Sequence, residues 1–98
     1  MPTFDLTDVF RKDLAALDNL DRERFEKAVK VFVEDLKSSE RRFRPGLRVK
    51  GVQGAPGVFE MTWAPDGRAT FELGEQLRAG EPHIVWRRVG THDVFARP

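Results

Sequence analysis

Five side chains with chemical capacity fall within nine residues near the end of this chain: Arg87, Arg88, His92, Asp93 and Phe95. An imidazole whose ordinary pKa lies near neutrality can give or take a proton, and a guanidinium is a permanent, planar clamp for a phosphate or carboxylate. Gly90 follows the apolar run Ile84-Val85-Trp86 and its two arginines, and is expected to break a strand there. The His92-Asp93 pair would then stand at the rim of a sheet, where a ligand reaches it. A second source of charge is the segment 41–50, which holds Arg41, Arg42, Arg44, Arg48 and Lys50 with no acid among them. Such a strip can bind phosphates, or can be a solvated run that offsets a helix dipole.

The elements that must position these groups are legible from the hydrophobic period. Thr7 or Asp8 can cap a first helix, over about residues 8–18, whose apolar positions are Phe10, Leu14 and Leu17. A second helix, about 21–39, carries the stripe Phe25, Ala28, Val29, Phe32 and Leu36, with Asp21 as its cap and Leu20 stapled to Phe25. The two should form an antiparallel hairpin.

After Pro45-Gly46 the period changes from 3.6 to 2. Leu47 and Val49 alternate with Arg48 and Lys50; Phe59, Met61 and Trp63 alternate with Glu60 and Thr62. A turn at Ala64-Pro65-Asp66-Gly67 leads to Ala69, Phe71 and Leu73, alternating with Arg68, Thr70 and Glu72. One sheet face thus collects Phe59, Met61, Trp63, Phe71 and Leu73 for the helices to cover. The other collects Glu60, Thr62, Arg68 and Thr70, with Arg48 and Lys50, as an open polar face. Simple alternation sends Arg87 and Arg88 to opposite faces.

Length and composition set the frame. Ninety-eight residues make one domain, spanning 1–98, with an α+β fold: a two-helix hairpin on one face of a twisted, mainly antiparallel sheet of four to five strands. The absence of cysteine excludes disulfides and thiolate chemistry and fits a reducing cytoplasm. No basic segment leads into an apolar run at the start, and no stretch approaches the roughly 20 apolar residues of a membrane span, so a soluble, unprocessed, cytoplasmic chain is expected. The net charge is +1.

The tail Arg88-Val89-Gly90-Thr91-His92-Asp93-Val94-Phe95 resembles the C-terminal signature of bacterial RelE/ParE-superfamily toxins, particularly the YafQ-like ribonucleases. Phe10-Arg11-Lys12-Asp13-Leu14, Gly46-Leu47-Arg48-Val49-Lys50 and Asp66-Gly67-Arg68 extend the resemblance over nearly the whole chain. It implies the toxin of a type II toxin–antitoxin system, an endoribonuclease that cleaves messenger RNA on the ribosome and inhibits translation. Cleavage in such toxins proceeds without metal or other cofactor, by attack of the ribose 2′-hydroxyl on the adjacent phosphate. The implied partners are an antitoxin, in a toxin–antitoxin hetero-oligomer, together with messenger RNA and the ribosome.

The resemblance assigns proton transfer to His92, phosphate stabilisation to Arg68 and an acid of the hairpin turn to Asp66; Glu60, standing where the family carries a lysine, either completes the acid–base set with His92 or leaves the site incomplete. Arg48, Lys50, Arg87, Arg88 and Phe95 are the implied RNA-binding residues. Glu60 and Thr62 depart from the family, which carries lysines on this strand and, in YafQ-like chains, a histidine in place of Thr62. Structural alternatives stand beside each role. His92 can bond Asp93 or backbone, Asp66 can serve the turn alone, Phe95 can pin the tail, and Arg68 can pair with Glu60 across strands. The same fold also admits a ParE-like, non-enzymatic inhibitor of DNA gyrase, or a decayed toxin that only binds its antitoxin.

Overall fold

The computed structural model describes residues 2–38 and 42–98. Strand β1 (Thr3–Leu6) is followed by helices α1 (Asp8–Ala16) and α2 (Asn19–Lys37), a 3-10 turn at Pro45–Leu47, strands β2 (Lys50–Gly51), β3 (Val58–Thr62), β4 (Gly67–Leu73) and β5 (His83–Thr91), and a second 3-10 turn at His92–Ala96. The five strands form one sheet in the order β1-β5-β4-β3-β2, antiparallel throughout except for the parallel pair β1 and β5. This is the expected α+β layout with all five strands present.

Local signals place the helices. Thr7 Oγ1 accepts from Phe10 N at 3.0 Å and so caps α1. Asp18, not Asp21, caps α2: its carboxylate accepts from Asp21 N at 2.8 Å. That shift of three residues removes the expected staple, and Leu20 is exposed. The helices bury Phe10, Phe25, Phe32 and Leu36 against Met61, Ala69, Phe71, Ile84, Trp86 and Val89 of the sheet. Phe32, fully buried, lies with its ring centroid 4.9 Å from Phe43, 5.0 Å from Phe71 and 5.2 Å from Trp86.

Three expectations about strands need correction. The segment 47–50 is not a strand along its length: Leu47 lies in the first 3-10 turn and only Lys50 and Gly51 pair with β3. Leu73, expected under the helices, is 60% exposed. Most consequentially, β5 carries a bulge. Thr70 pairs with Arg88 but Phe71 pairs with Trp86, so Arg87 is an extra residue. A bulge resets the alternation. Arg87 and Arg88 therefore share the face opposite the helices instead of dividing between faces.

That face is not open along its length either. Thr70 is fully buried and donates to the Pro98 carbonyl at 3.1 Å, while Arg87 Nε reaches the same oxygen at 3.0 Å. The chain after β5 folds back across the middle of the polar face. At the other edge, His83 is buried and bonded to Thr3 Oγ1 at 2.7 Å and Asp5 Oδ2 at 3.0 Å, fastening β1 to β5.

Because fully buried Phe32 stacks on Phe43 and meets Phe71 and Trp86 of the sheet, Phe32→Ala should lower unfolding free energy by about 3–5 kcal/mol, read from urea melts. A loss under about 1 kcal/mol would mean that the core does not converge on this ring.

Candidate functional site

The β4–β5 register builds the site. Gly67 pairs with Thr91 at the last rung of the ladder. Since the strands are antiparallel, the residue before Gly67 and the residue after Thr91 leave that rung side by side. These are Asp66 and His92. Their side chains meet, His92 Nδ1 to Asp66 Oδ1, at 2.5 Å, and both remain about two-thirds exposed. Asp93, the neighbour expected to bind His92, lies 3.9 Å from Nε2 and is more exposed still.

Arg68 stands one residue inside the same rung, opposite Gly90. Gly90 does not break β5, which runs on to Thr91. Its role is clearance: a Cβ there would come within 3.2 Å of Val94, the buried residue by which the second 3-10 turn packs down. Thr91 starts that turn, its Oγ1 accepting from Asp93 N at 3.3 Å. Arg68 does not pair with Glu60. Its Nη1 donates to the carbonyls of Ala64, Pro65 and Gly67 at 3.3, 3.3 and 2.9 Å, bracing the hairpin turn that carries Asp66. Among the described residues, its Nε and Nη2 donors make no hydrogen bond.

The remaining sequence-stated candidates are distributed unevenly. Glu60 is buried on β3, on the same face as Arg68 and two residues from Thr62, which faces Arg68. That spacing is about 7 Å along a strand. Lys50, paired with Glu60 in the ladder, puts its Nζ 3.8 Å from the Glu60 carboxylate. Arg87 is engaged by Glu72 at 2.9 Å, and Arg88 by Asp13 of α1 at 2.6 Å. Phe95 is half-buried in the second 3-10 turn. Arg44 of the basic strip is held by a fork of bonds to Asp35 and a contact with Glu34; Arg41 lies outside the described residues.

Arg48 is different. It is the one non-glycine residue with positive φ among those described, at φ 48° and ψ 46°, and it lines an open groove of about 630 Å³ between α2 and the β3–β4 hairpin. Arg24 and Lys27 of α2 line the same groove with Arg68. Sequence reading missed both, because on a helix they look like any solvated cations. Their one signal is a spacing of three, which puts them on a common helix face.

Charge biases the pair towards its ionised form. The hydrogen bond to Asp66, with its negative charge close by, raises the His92 pKa above the ordinary histidine value; burial and Arg68 oppose this. The same bond holds the Asp66 carboxyl below its ordinary value. The site thus favours an imidazolium whose Nδ1–H is donated to Asp66 and whose Nε2–H faces solvent. The contribution of His92 to stability is complete below the ordinary histidine pKa and fades as pH rises through its raised folded value. That of Asp66 is complete above the ordinary carboxylate pKa and fades as pH falls through its lowered one.

The chain matches no protein-family model and no curated protein sequence. It does resemble solved structures over nearly its whole length. YafQ from E. coli superposes with a TM-score of 0.72 at 12% identity, covering 96% of this chain and 97% of that one. A chain of the E. coli DinJ-YafQ toxin-antitoxin complex gives 0.64 at 18% identity, covering 95% and 94%. One from the RelB-RelE antitoxin-toxin complex of Methanococcus jannaschii gives 0.60 at 18%, covering 94% of each. At such identities the likeness establishes the fold alone, which this chain shares with those YafQ and RelE chains.

In a proton NMR titration, the His92 midpoint should lie above about 6.5, the ordinary histidine value. Asp66→Asn should bring it down towards that value. An unchanged midpoint would show that the pair does not form in solution.

Proposed function

On the RelE/ParE toxin fold that this chain shares with YafQ, we propose that it is the toxin of a type II toxin–antitoxin pair and an endoribonuclease acting on messenger RNA. The observation that carries this reading is the rung where Gly67 meets Thr91, which sets the His92–Asp66 pair beside Arg68. A carboxylate-oriented imidazolium next to an unneutralised guanidinium is suited to breaking a phosphodiester bond.

The reaction is attack of a ribose 2′-hydroxyl on the adjacent phosphorus with departure of the 5′ oxygen. A 2′,3′-cyclic phosphate and a 5′-hydroxyl end result, and no metal ion is required. His92, whose protonated form the bond to Asp66 favours, supplies the proton to the departing oxygen through Nε2. Arg68 turns its free Nε and Nη2 donors to the phosphoryl oxygens as their charge grows. Glu60, on the same face one strand away and with Lys50 beside it, accepts the 2′ proton. Thr62, facing Arg68, has no proton-transfer role.

The DinJ-YafQ and RelB-RelE structures are toxin–antitoxin complexes, which supports an antitoxin as the partner of this chain. The ribosome is where a toxin of this class would meet its transcript. Among the described residues no helix is long and apolar enough to cross a membrane.

Purified protein should cleave RNA in the presence of a chelator. His92→Ala should lower the rate about 10²- to 10⁴-fold, and Arg68→Ala about 10²- to 10³-fold, with both variants folded by circular dichroism. Mapping of 5′ ends after induction should show new transcript ends for the wild type only. If growth stops without new ends while gyrase supercoiling falls, the chain is a ParE-like inhibitor instead.

A further inference from the structure

The groove beside the dyad has a charge balance that the fold itself does not explain. Arg24, Lys27, Arg48 and Arg68 line it and no acidic side chain does. Only Arg24 has an ion-pair partner among the described residues, Asp21 at 3.3 Å, an exposed contact of small effect. Lys27 and Arg48 have none among those residues, and Arg68 is held by neutral carbonyls alone. Three arginines elsewhere that tie elements together are paired with carboxylates: Arg44 with Asp35, Arg87 with Glu72, Arg88 with Asp13. Uncompensated like charges around one concavity repel each other and raise the local potential for an anion.

Two further observations fall on the same groove. Arg48 adopts a left-handed backbone that glycine would accept without strain, so something other than the backbone favours its side chain here. Trp63, in the groove wall, holds the one buried side-chain polar atom without a hydrogen-bond partner among the described residues, its Nε1. A buried donor left unpaired is unusual and points to an acceptor that arrives from outside.

We propose that this groove is a phosphate subsite that carries the backbone of single-stranded RNA onward from the scissile phosphate at Arg68. The inference rests on the ribonuclease reading for the identity of its ligand. Arg68 is common to the groove and to the His92–Asp66 pair, so a polyanion seated at the dyad runs into the groove without leaving the field of cations. Lys27 and Arg48 each take a backbone phosphate oxygen, and a small shift of the Trp63 ring brings Nε1–H to an acceptor. Recognition is of the backbone, hence tolerant of base sequence.

The test is binding of a fluorescein-labelled single-stranded RNA by the His92→Ala protein, which holds RNA without consuming it. Adding Lys27→Ala or Arg48→Gly should weaken binding roughly 5-fold each at 0.1 M salt, with the log–log salt slope falling by about 0.7 per cation removed. Arg48→Gly should unfold at the same or a higher urea concentration, which separates lost binding from lost structure. RNA should shift the indole N–H resonance of Trp63 and leave that of buried Trp86 in place. With His92 restored, both variants should raise KM and leave kcat unchanged. Unchanged affinity and slope in both variants overturn the proposal, as does tighter binding of poly-glutamate than of RNA at equal salt, which would make the groove a seat for an acidic peptide. Absence of cleavage alongside groove-dependent RNA binding would defeat the catalytic reading and leave this one standing.

Discussion

One extra residue in β5 governs how this molecule is assembled. Side chains alternate along a strand, so a regular β5 that buries Ile84 and Trp86 would turn Val89 away from the helices. The bulge at Arg87 returns Val89 to the core opposite Ala69 and carries Gly90 to the rung of Arg68 and Thr91 to that of Gly67. The fold stitches the irregularity down from both sides. Thr7, the cap of α1, donates its hydroxyl to the Arg87 carbonyl at 3.0 Å, and its own N–H reaches the Trp86 carbonyl at 3.1 Å. Beyond the end of β1, where β5 would expose an edge, Asp13 accepts from Val89 N at 3.2 Å and grips Arg88. The bulge, the cap and the helix position are thus mutually dependent, and the His92–Asp66 contact inherits its geometry from them.

The arginines divide by what surrounds them. Arg44, Arg87 and Arg88 tie elements together through carboxylates, and breaking such a pair leaves an uncompensated charge in a partly buried place. Arg68 is tied by carbonyls, which orient a guanidinium without cancelling it. Orientation with retained charge suits the phosphorane stabilisation proposed for Arg68. The hairpin turn that supplies those carbonyls is itself fixed by Gly67, which lies against the Trp63 ring so closely that a Cβ would sit 2.5 Å from it. Asp66 is held between two constraints: the braced turn before β4 and the last rung of the ladder.

Phe10, Phe25, Phe32, Phe71 and Trp86 interlock on the helix-covered face of the sheet, and α2 reaches on to line the groove beside the β3–β4 hairpin. The chain after Thr91 covers part of the opposite face, through Val94 and the Pro98 carbonyl shared by Thr70 and Arg87. What stays accessible on the polar side is the end with the β3–β4 turn, where Asp66, Arg68 and His92 meet water.

Periodicity alone determined the helix hairpin, the switch to strands after Pro45 and the core positions Phe32, Met61 and Phe71, while the tail motif from Arg88 to Phe95 carried the resemblance. Those features depend on neighbours within a few residues, where helix and strand geometry is repeated and legible. The same local logic failed where one residue's placement depends on a distant partner. Asp18 displaced Asp21 as a cap, Leu47 entered a 3-10 turn, and the bulge put Arg87 and Arg88 on one face. Within the site, His92, Asp66 and Arg68 could be named singly from the sequence, but their meeting could not. Twenty-five residues separate Asp66 from His92 in the chain, and only the register of β4 on β5, set by burial of Trp86 and Val89 on either side of the bulge, brings the imidazole to the carboxylate. The groove cations Arg24 and Lys27 were silent for the same reason: a helix reveals which side chains share a face, whereas what that face looks upon is decided by packing.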